Sequence, residues 1–390
     1  DVKQFRYLNN NLGYDAGNAL LIHIANCIER VLEKDETFAR VGTDQFIILF
    51  LSRESEEETR QYIRRLSDEI AMWAQPSGGY YSVQLAFGVY RILDKDEDIL
   101  AAIEKSNIAR KSAKDGYATS VAIYDAKMQQ RIDRDIELET ATASALENGE
   151  FKLFIQPKYS LESGEIVGGE ALVRWIKADG TIIMPNEFIS LFEQTGAISN
   201  MDLCMLTQLC AFQRGELDRG IPAVPISINQ SRRYMYSPNY VEVIREKLRE
   251  NNVPAHMIEL EITENLVYTD IDKLICVLEV LHKAGFSISL DDFGSGYSSL
   301  NVLKKLQVDT LKLDRFMLSK TLDSEREKTV VASIIRMAKE LNMSVVAEGV
   351  ETYEQVVFLR ECGCETAQGY YYSKPVPAER FEELLCGVKK

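Results

Sequence analysis

The second half of the chain alternates short β-like runs with longer amphipathic stretches. The runs, which are apolar or alternate between apolar and polar residues, are Phe151–Pro157, Ile166–Trp175, Pro225–Asn229, Ile258–Thr263, Phe286–Asp291, Val308–Leu313, Ser344–Glu348 and Glu365–Tyr371. The stretches with helical spacing between them include Asp202–Arg214, Tyr240–Glu250, Ile271–Ala284 and Lys328–Leu341. Eight strands that alternate with helices over about 250 residues predict a (β/α)8 barrel.

Polar and apolar side chains alternate within these runs, so each predicted strand has one polar face. In Ile258–Thr263, for example, Glu259, Glu261 and Thr263 share a face. The outer face of a barrel strand packs on helices and should be apolar, so we expect the polar face to point inwards. Its last member then lies at the C-terminal mouth of the barrel, where barrel enzymes have their catalytic groups.

Charged or amide side chains occupy this region at the ends of successive runs. They are Asn229, Glu261, Asp291 with Asp292, Lys312 and Glu348. A single Asp or Asn at a strand end is usually a turn or capping residue. Capping does not explain why charged or amide side chains recur in the same strand phase at the ends of successive runs. The composition is that of a divalent-metal site facing a phosphate-containing substrate.

The first part of the chain has its own alternation of helices and strands. The pattern predicts a loop and a helix within Leu12–Leu32, a fully buried strand at Phe46–Leu51, a helix at Arg53–Trp73, a strand at Tyr80–Tyr90 and a helix at Asp96–Lys114. This order is typical of an α/β sandwich. Tyr124–Gly149 lacks proline and is rich in helix-forming residues, so we expect a helix there. We therefore predict domains at residues 1–126 and 139–390, with a helical connector at 127–138.

Composition and charge restrict the partners. The 390 residues carry a net charge of −15 and a pI of about 4.9, which argues against a protein that binds a nucleic-acid polymer through a basic face. A small anionic ligand stays compatible, because metal ions reverse the field inside one pocket. The seven cysteines form no Cys-x-x-Cys pair, which is typical of reduced thiols in a cytosolic protein. The sequence has no apolar stretch that would span a bilayer. Its start at Asp1, without a methionine, predicts a fragment of a longer protein, from which any upstream sensor or membrane anchor would be missing.

The motifs of the second half resemble those of the EAL family in order and spacing. They are Gln156-Pro157-Lys158, Glu170-Ala171-Leu172-Val173-Arg174-Trp175, Asn229, Glu261-Ile262-Thr263-Glu264, Asp291-Asp292-Phe293-Gly294-Ser295-Gly296-Tyr297-Ser298-Ser299-Leu300, Lys312-Leu313-Asp314, Ala347-Glu348-Gly349-Val350-Glu351 and Gln368-Gly369-Tyr370. The resemblance implies a TIM-like barrel that hydrolyses cyclic di-GMP to linear pGpG with Mg²⁺ or Mn²⁺. Lys158 follows Gln-Pro where an apolar residue is common, and it is assigned no role.

The resemblance also implies a role for each matching residue. The ligands of one metal ion would be Glu170, Asn229, Glu261 and Asp291, and a second ion would lie near Asp291, Asp292 and Glu348. Two metal ions together activate the attacking water and stabilise the leaving oxygen. The residues expected to be essential for catalysis are Glu348 as general base, Lys312 beside the water, and Glu170. The residues expected to contact substrate are Gln156, Arg174, Asp314, Glu351 and Gln368.

Glu264 follows Glu261 by three residues, so a continued strand turns its side chain to the opposite face. The resemblance gives this position to anchoring the loop Phe293–Leu300, where Gly294 and Gly296 permit a bend. We expect this loop to complete the metal site and to support a homodimer through the barrel domain.

The first part of the chain resembles the GGDEF family, which has the diguanylate cyclase fold. The matching residues are Asp1-Val2-Lys3-Gln4-Phe5-Arg6, Asn9, Gly13, Gly17 and Arg40-Val41-Gly42-Thr43-Asp44-Gln45-Phe46. Neutral Gln45 stands where the family has a metal-binding glutamate, and Thr43 replaces a glycine that lets the backbone approach the nucleotide. Asn18 stands where the family has a guanine-contacting aspartate. Glu33 and Glu36 replace the Arg-x-x-Asp motif of the inhibitory product site.

Two interpretations of the first domain stay open. It is a weak or regulatory GTP site that uses Asp1, Asn9 and Asp44, or a catalytically inactive scaffold that dimerises or transmits a signal, and the second is favoured. For the whole chain the leading hypothesis is a cytoplasmic cyclic di-GMP phosphodiesterase. One alternative is a non-catalytic cyclic di-GMP receptor, which the loss of a metal ligand would favour. The other is a diguanylate cyclase, against which Gln45 and Thr43 argue.

Overall fold

The computed structural model describes residues 1–53, 55–74, 80–94, 97–113, 119–264, 271–294, 303, 305–318 and 324–387. The chain divides into two compact units, Asp1–Glu137 and Leu138–Lys390, and the division falls within the helix Ala126–Glu147. Each unit has a hydrophobic core of its own. Among the described helices, none combines the length and the apolar character needed to cross a membrane.

The first unit is a mixed α/β unit. Its helices α1 to α4 are Phe5–Leu12, Tyr14–Val31, Glu56–Ala71 and Ile99–Ser112. Its strands β1 to β6 are Thr37–Arg40, Phe46–Leu49, Met72–Ala74, Tyr80–Ser82, Ala86–Val89 and Ser120–Ile123. The pairs β1–β2 and β3–β4 are antiparallel, and the pair β5–β6 is parallel. Apolar side chains of α1, α2 and α3 pack with Trp73 and Leu85 to form the core.

Some predictions for this unit are wrong in detail. The run Phe46–Leu51 is not a fully buried strand: β2 ends at Leu49, which is 46% exposed, because β2 pairs with β1 alone among the described strands. The predicted strand Tyr80–Tyr90 is two strands with different partners, because β4 pairs with β3 and β5 pairs with β6. Leu85 between them forms an isolated bridge with Val2. The pattern also misses the short elements α1, β1, β3 and β6, and the predicted helix Arg53–Trp73 runs into β3.

The second unit contains a closed barrel of eight strands, which confirms the predicted fold. The barrel strands are β7 (Phe151–Ser160), β8 (Ile166–Ile176), β10 (Ile226–Asn229), β11 (Ile258–Thr263), β12 (Ser287–Phe293), β13 (Thr310–Leu313), β14 (Ser344–Ala347) and β15 (Thr366–Ala367). Two short strands, β9 (Ile182–Ile183) and β16 (Val376–Pro377), pair with β8 and β7 respectively. The barrel strands run parallel except β7, which is antiparallel to both β8 and β15 and closes the ring.

Helices pack around this barrel and bury its outer face. Helices α5 to α14 are Ala126–Glu147, Pro185–Thr195, Ile198–Arg219, Arg232–Met235, Tyr240–Glu250, Ile271–Lys283, Arg315–Leu318, Glu325–Glu340, Tyr353–Glu361 and Ala378–Leu385. The apolar face of β11, formed by Ile258, Leu260 and Ile262, is fully buried in one core with Leu274 and Leu278 of α10. The polar face of the same strand therefore points into the barrel.

The last predicted run, Glu365–Tyr371, is a strand only at Thr366–Ala367. Beyond Ala367 the chain turns, and the Gln368 N–H donates to the Ala347 carbonyl at 2.8 Å. Gly369 then passes so close to Val350 that a Cβ atom at Gly369 would lie 2.1 Å from the Val350 carbonyl oxygen. This close approach places Gln368 beside the C-terminal end of β14.

Candidate active site

A buried lysine lies at the centre of the barrel mouth. Lys312 projects from β13 and is 0% exposed. Its Nζ lies 2.7 Å from Glu348 Oε1, 2.8 Å from Glu261 Oε2, 3.2 Å from Asp291 Oδ1 and 3.6 Å from Glu170 Oε2. These four carboxylates are here called the acidic cluster. Three lie on the strands β8, β11 and β12, and the fourth, Glu348, directly follows β14. The structure thus brings together residues that lie far apart in the sequence.

Three members of the acidic cluster lie close enough together to bind one cation. Carboxylate oxygens of Glu170, Glu261 and Asp291 all lie within 4.8 Å of one another, and all three residues are buried. Asn229 joins them, because its Nδ2 donates to Glu170 Oε1 at 3.1 Å. Several oxygen ligands of mixed charge at one point suit a hard divalent cation. The residues present therefore fit a divalent-metal site.

Burial changes the proton affinity of the acidic cluster. Burial raises the pKa of Asp291 to about 6, and Lys312 opposes this rise. Burial also raises the pKa of Glu170, and it raises the pKa of Glu348 well above the ordinary value. Removal from water penalises the ionised form, and neighbouring carboxylates add to the penalty. A cation at this point would favour the ionised forms.

The backbone at Asp291 and Asp292 is irregular. Asp292 has a φ of 58°, and the register between β12 and β13 shifts between Leu290 and Phe293. Such a bulge redirects side chains, and here the Asp292 N–H donates to Asp291 Oδ1 at 2.8 Å. Burial, and next the charge of Asp314, raise the pKa of Asp292. A regular strand would turn two successive side chains to opposite faces. The bulge allows the carboxylates of Asp291 and Asp292 both to lie close to Lys312 and Glu261.

Two glutamines expected to contact substrate, Gln156 and Gln368, are linked to Glu170 by hydrogen bonds. Gln156 and Glu170 are paired across β7 and β8. Gln368 Nε2 donates to Glu170 Oε2 at 2.5 Å and to Gln156 Oε1 at 3.1 Å. Gln156 Nε2 in turn donates to the Ser373 carbonyl at 3.1 Å. The two amides therefore form a chain of hydrogen bonds that fixes the orientation of Glu170.

The other residues expected to contact substrate lie outside the acidic cluster. The Arg174 guanidinium is partly exposed and stacks over the Phe154 ring, 5.6 Å from its centroid. Asp314 is buried and accepts a hydrogen bond from the Phe316 N–H at 2.7 Å, at the start of α11. The Glu351 side chain is exposed, and its backbone N–H donates to Gln355 Oε1.

Glu264 directly follows β11 and is 5% exposed. It shares a strand phase with the outward-facing Ile262, as expected from alternation. The loop that it is predicted to anchor, Phe293–Leu300, lies outside the described residues beyond Gly294. The anchoring role thus stays a prediction.

In the first unit, Asp1 is the member of the predicted nucleotide site whose side chain has polar protein partners in the structure. Asp1 Oδ2 accepts from Gln45 Nε2 at 3.1 Å and forms an ion pair with Arg110. Asn9 of α1 has a buried Oδ1 with no hydrogen-bond partner among the described residues, and a Cβ at Gly17 of α2 would lie 1.9 Å from it. Asp44 is partly buried in the turn between β1 and β2. The sequence did not predict the role of Arg110, because the helical pattern of α4 does not show that Arg110 pairs with Asp1.

The sequence reasoning also missed Lys158. Its side chain is 4% exposed, and its Nζ lies 2.8 Å from Ser227 Oγ, 3.0 Å from Glu259 Oε2 and 3.5 Å from Glu261 Oε1. Burial alone would raise the pKa of Glu261, but Lys312 and Lys158 outweigh that effect and lower it. The available signal was strand alternation, because Lys158 follows Gln156 by two residues and so shares its inward face.

Comparison with known proteins agrees with this geometry. Residues 139–375 match the family model described as EAL domain, and residues 1–118 match the one described as diguanylate cyclase, GGDEF domain. The first match covers more than half of the chain. The chain belongs to the EAL family. It is a GGDEF–EAL protein, with the acidic cluster inside the EAL domain and the Asp1–Gln45 contact inside the GGDEF domain.

Proteins similar to this chain are known from several bacteria. NbdA of Pseudomonas aeruginosa, named a cyclic di-GMP phosphodiesterase, is 31% identical over 388 residues, which are 99% of this chain and 49% of that protein. PdeR of Escherichia coli, with the same description, is 28% identical over 382 residues, 98% of this chain and 57% of that protein. The solved structure of the PaMucR phosphodiesterase in a c-di-GMP complex is 35% identical with a TM-score of 0.60, and the match covers 63% of this chain and 99% of that one. This chain therefore spans about half the length of the two curated relatives.

Proposed function

We propose that the EAL domain hydrolyses cyclic di-GMP to linear pGpG with Mg²⁺ or Mn²⁺. The observation that carries the proposal is the convergence of four carboxylates on Lys312 at the barrel mouth. The names of NbdA and PdeR and the ligand of the PaMucR structure support cyclic di-GMP as the substrate.

The metal-binding roles follow from the donor set. Glu170, Asn229, Glu261 and Asp291 would hold one ion, and Asp292 and Glu348 would contribute to a second. A bound divalent cation lowers the pKa of a water molecule and offsets phosphate charge. The hydrogen-bond chain from Gln156 through Gln368 keeps Glu170 in place for this role.

The remaining residues would act on protons and on the substrate. Burial raises the pKa of Glu348, which makes its carboxylate a better proton acceptor and suits a general base. Lys312 would orient Glu348 and the attacking water, and would oppose the charge of the phosphate. Arg174 has a guanidinium that can donate two parallel hydrogen bonds to a phosphate. Asp314, Glu351 and both glutamines would complete the substrate contacts.

The GGDEF domain would serve as a catalytically inactive scaffold. Its Asp1 carboxylate already pairs with Arg110 and Gln45. The alternative is a weak regulatory GTP site at Asp1, Asn9 and Asp44. We also propose a homodimer formed through the EAL domain, and its measurement is sedimentation of the chain with and without cyclic di-GMP.

The first prediction tests catalysis. With Mg²⁺ or Mn²⁺ the chain should convert cyclic di-GMP to pGpG, and Glu170→Ala should lower turnover by at least ~100-fold, more than the loss of a residue that merely supports a metal ligand. The measurement is chromatographic separation of substrate and product. Glu162→Ala, which alters an exposed glutamate between β7 and β8, is the matched control and should keep full turnover.

The same experiment separates an enzyme from a receptor. A receptor would bind cyclic di-GMP, measured by calorimetry in Ca²⁺, yet release no pGpG with any divalent ion. That outcome would replace the proposed function with the receptor. Full turnover in a folded Glu170→Ala chain would instead remove Glu170 from the metal site.

A further inference from the structure

Lys158 reaches into the barrel from β7, close to the acidic cluster. A register shift between Lys158 and Tyr159 interrupts the pairing of β7 with β8 at this position. The shift follows Lys158, so Lys158 keeps the strand phase of Gln156, two residues before it, and its side chain points into the barrel. Across the strands Lys158 is paired with Gly168, and a Cβ at Gly168 would lie 3.7 Å from Lys158 Cδ, in ordinary van der Waals contact with the lysine stem. The result is an ammonium group inside the barrel.

The contacts of Lys158 lie at two levels of the same strand. Glu259 precedes Glu261 by two residues on β11, so both side chains point inwards about 7 Å apart along the strand. Lys158 Nζ lies 3.0 Å from Glu259 Oε2 and 3.5 Å from Glu261 Oε1. The ammonium therefore bridges a carboxylate of the acidic cluster to one nearer the start of the strand.

Glu261 is consequently held from two sides. Its Oε2 lies 2.8 Å from Lys312 Nζ, and its Oε1 faces Lys158. Its side chain is fully buried, so bulk solvent does not compete for these positions. An ionised carboxylate has about four lone-pair sites, so two ammonium contacts still leave sites for a metal ion.

We propose that Lys158 is a positioning residue that holds the Glu261 carboxylate in the orientation in which it binds a divalent cation. This inference rests on the proposed function of the EAL domain. The Lys158 contact with Ser227 Oγ at 2.8 Å fixes the ammonium on the neighbouring strand β10. In this role Lys158 acts through Glu261, which it contacts at 3.5 Å.

A purely structural ion pair with Glu259 is the competing explanation. Removing Lys158 alone would leave Glu259 without its ammonium partner in a mostly buried site, and such a variant can fail to fold. The double variant Lys158→Met/Glu259→Gln avoids this difficulty, because it removes one positive and one negative charge. The net charge of the barrel interior is unchanged, so a change in metal affinity reflects the lost support of Glu261.

The experiment is a calorimetric titration of the whole chain with Mn²⁺ in the absence of substrate. Heat that is absent from Glu170→Ala is assigned to the barrel site. We expect the double variant to bind Mn²⁺ ~10–100-fold more weakly than the unmodified chain, the usual effect of losing a partner that supports a metal ligand. Glu259→Gln, which keeps Lys158, and Lys158→Arg, which keeps the charge, should stay near the unmodified affinity. The melting temperature in EDTA should be similar for all these chains.

Each other outcome counts against the proposal. Equal or tighter Mn²⁺ binding by a folded double variant would overturn it and leave Lys158 as a structural partner of Glu259. Lys158→Gln/Glu259→Gln provides a second, polar replacement; if both double variants are unfolded in EDTA, the pair is structural and the proposal is wrong. If the unmodified chain and Glu170→Ala bind Mn²⁺ equally, no binding can be assigned to the barrel site. The proposed function then fails, and the role of Lys158 fails with it.

Discussion

Lys312 decides the charge balance of the barrel mouth. Its buried ammonium lies between 2.7 and 3.6 Å from four carboxylates. Burying a single ammonium costs several kcal/mol, so the lysine is stable here only because these carboxylates surround it. Four carboxylates facing one ammonium leave excess negative charge when ionised. That excess is the condition under which oxygen ligands take up a hard cation.

Glu264 tests whether support of the loop after β12 matters for metal binding. Strand alternation turns Glu264 away from Glu261, yet it is buried directly after β11. We predict that Glu264→Gln raises the Mn²⁺ concentration needed for half-maximal turnover by ~10–100-fold, because an amide is a weaker acceptor for loop N–H groups. Substrate affinity should change less, since Arg174 is untouched.

The measurement is a Mn²⁺ titration of turnover at saturating cyclic di-GMP. The control is Glu250→Gln, which makes the same chemical change at the exposed end of α9, and its titration curve should match that of the unmodified chain. Superimposable titration curves for Glu264→Gln and the unmodified chain would remove the anchoring role.

Asp202 should make the stability of the EAL domain depend on pH. Burial raises the pKa of Asp202 in α7 to about 7, although its Oδ2 accepts from the Ser231 N–H at 3.1 Å. The folded state therefore holds this proton more tightly than the unfolded state, whose pKa is near 3.8. The contribution of Asp202 to stability is complete below about pH 4 and is lost as the pH rises to about 7.

Asp202→Asn keeps an acceptor for Ser231 and removes the titration. We predict that the free energy of unfolding of Asp202→Asn, relative to the unmodified chain, increases by up to ~1.4 kcal/mol for each pH unit between about 4 and 7. Denaturant unfolding at pH 5 and pH 7 measures this. A difference between the two chains that is the same at both pH values would contradict the assignment.

At the scale of elements, periodicity predicted most of the barrel. Strand β11 and helix α9 have the predicted bounds, because both have clear alternation or helical spacing. The antiparallel direction of β7 was not predictable, since a strand pattern has no direction. The bulge at Asp291 and Asp292 was not predictable either, because it arises from pairing with β13.

In the candidate site, too, the residues on periodic strands could be predicted, whereas contacts made by irregular turns could not. Three members of the acidic cluster, Glu261, Asp291 and Glu348, were named from strand ends, because each is a polar residue at the end of a β-like run. Glu170 lies in the middle of its strand and was named only from the resemblance to the EAL family. The partners of Gln156 and Gln368 were not predicted, since the turn after β15 that brings Gln368 to Glu170 has no periodicity. Lys158 was left without a role because single-strand phase does not reveal which carboxylate lies opposite.

Gly369 tests the importance of that turn. A Cβ atom there would lie 2.1 Å from the Val350 carbonyl oxygen and 2.3 Å from its nitrogen, so the backbone must move. We predict that Gly369→Ala destabilises the EAL domain by ~1–3 kcal/mol and weakens Mn²⁺ binding, because Gln368 shifts away from Glu170. Thermal melting and Mn²⁺ titration measure the two effects.

Gly215→Ala in α7 is the matched control. A Cβ there meets only Arg219 Nη2, at 3.5 Å, and alanine favours a helix more than glycine does. This variant should melt at the same or a higher temperature. Unchanged melting and metal binding in Gly369→Ala would show that the turn adjusts without moving Gln368.

At the scale of the whole molecule, the two units differ in the balance between acidic residues and the cationic groups beside them. In the EAL domain the carboxylates of the acidic cluster outnumber the nearby ammonium groups. In the GGDEF domain the Asp1 carboxylate pairs with the Arg110 guanidinium and accepts from Gln45, so this pair leaves no excess negative charge for a cation. Glu33 and Glu36, at the positions of the family's inhibitory motif, both pair with Arg53. Both sets of acidic residues thus have charge partners within the domain.

We therefore predict that the GGDEF domain makes no cyclic di-GMP from GTP. Neutral Gln45 cannot replace an anionic ligand of a hard cation without a loss of affinity, and the nearby Asp1 carboxylate is paired with Arg110. The measurement uses the Glu170→Ala chain, in which the EAL domain should not consume the product, incubated with GTP and Mg²⁺ or Mn²⁺ and analysed by chromatography. Cyclic di-GMP added to a parallel sample should persist, which establishes that any product would be seen. Cyclic di-GMP that accumulates with GTP, and fails to do so in Glu170→Ala/Asp44→Ala, would make the first unit an active cyclase.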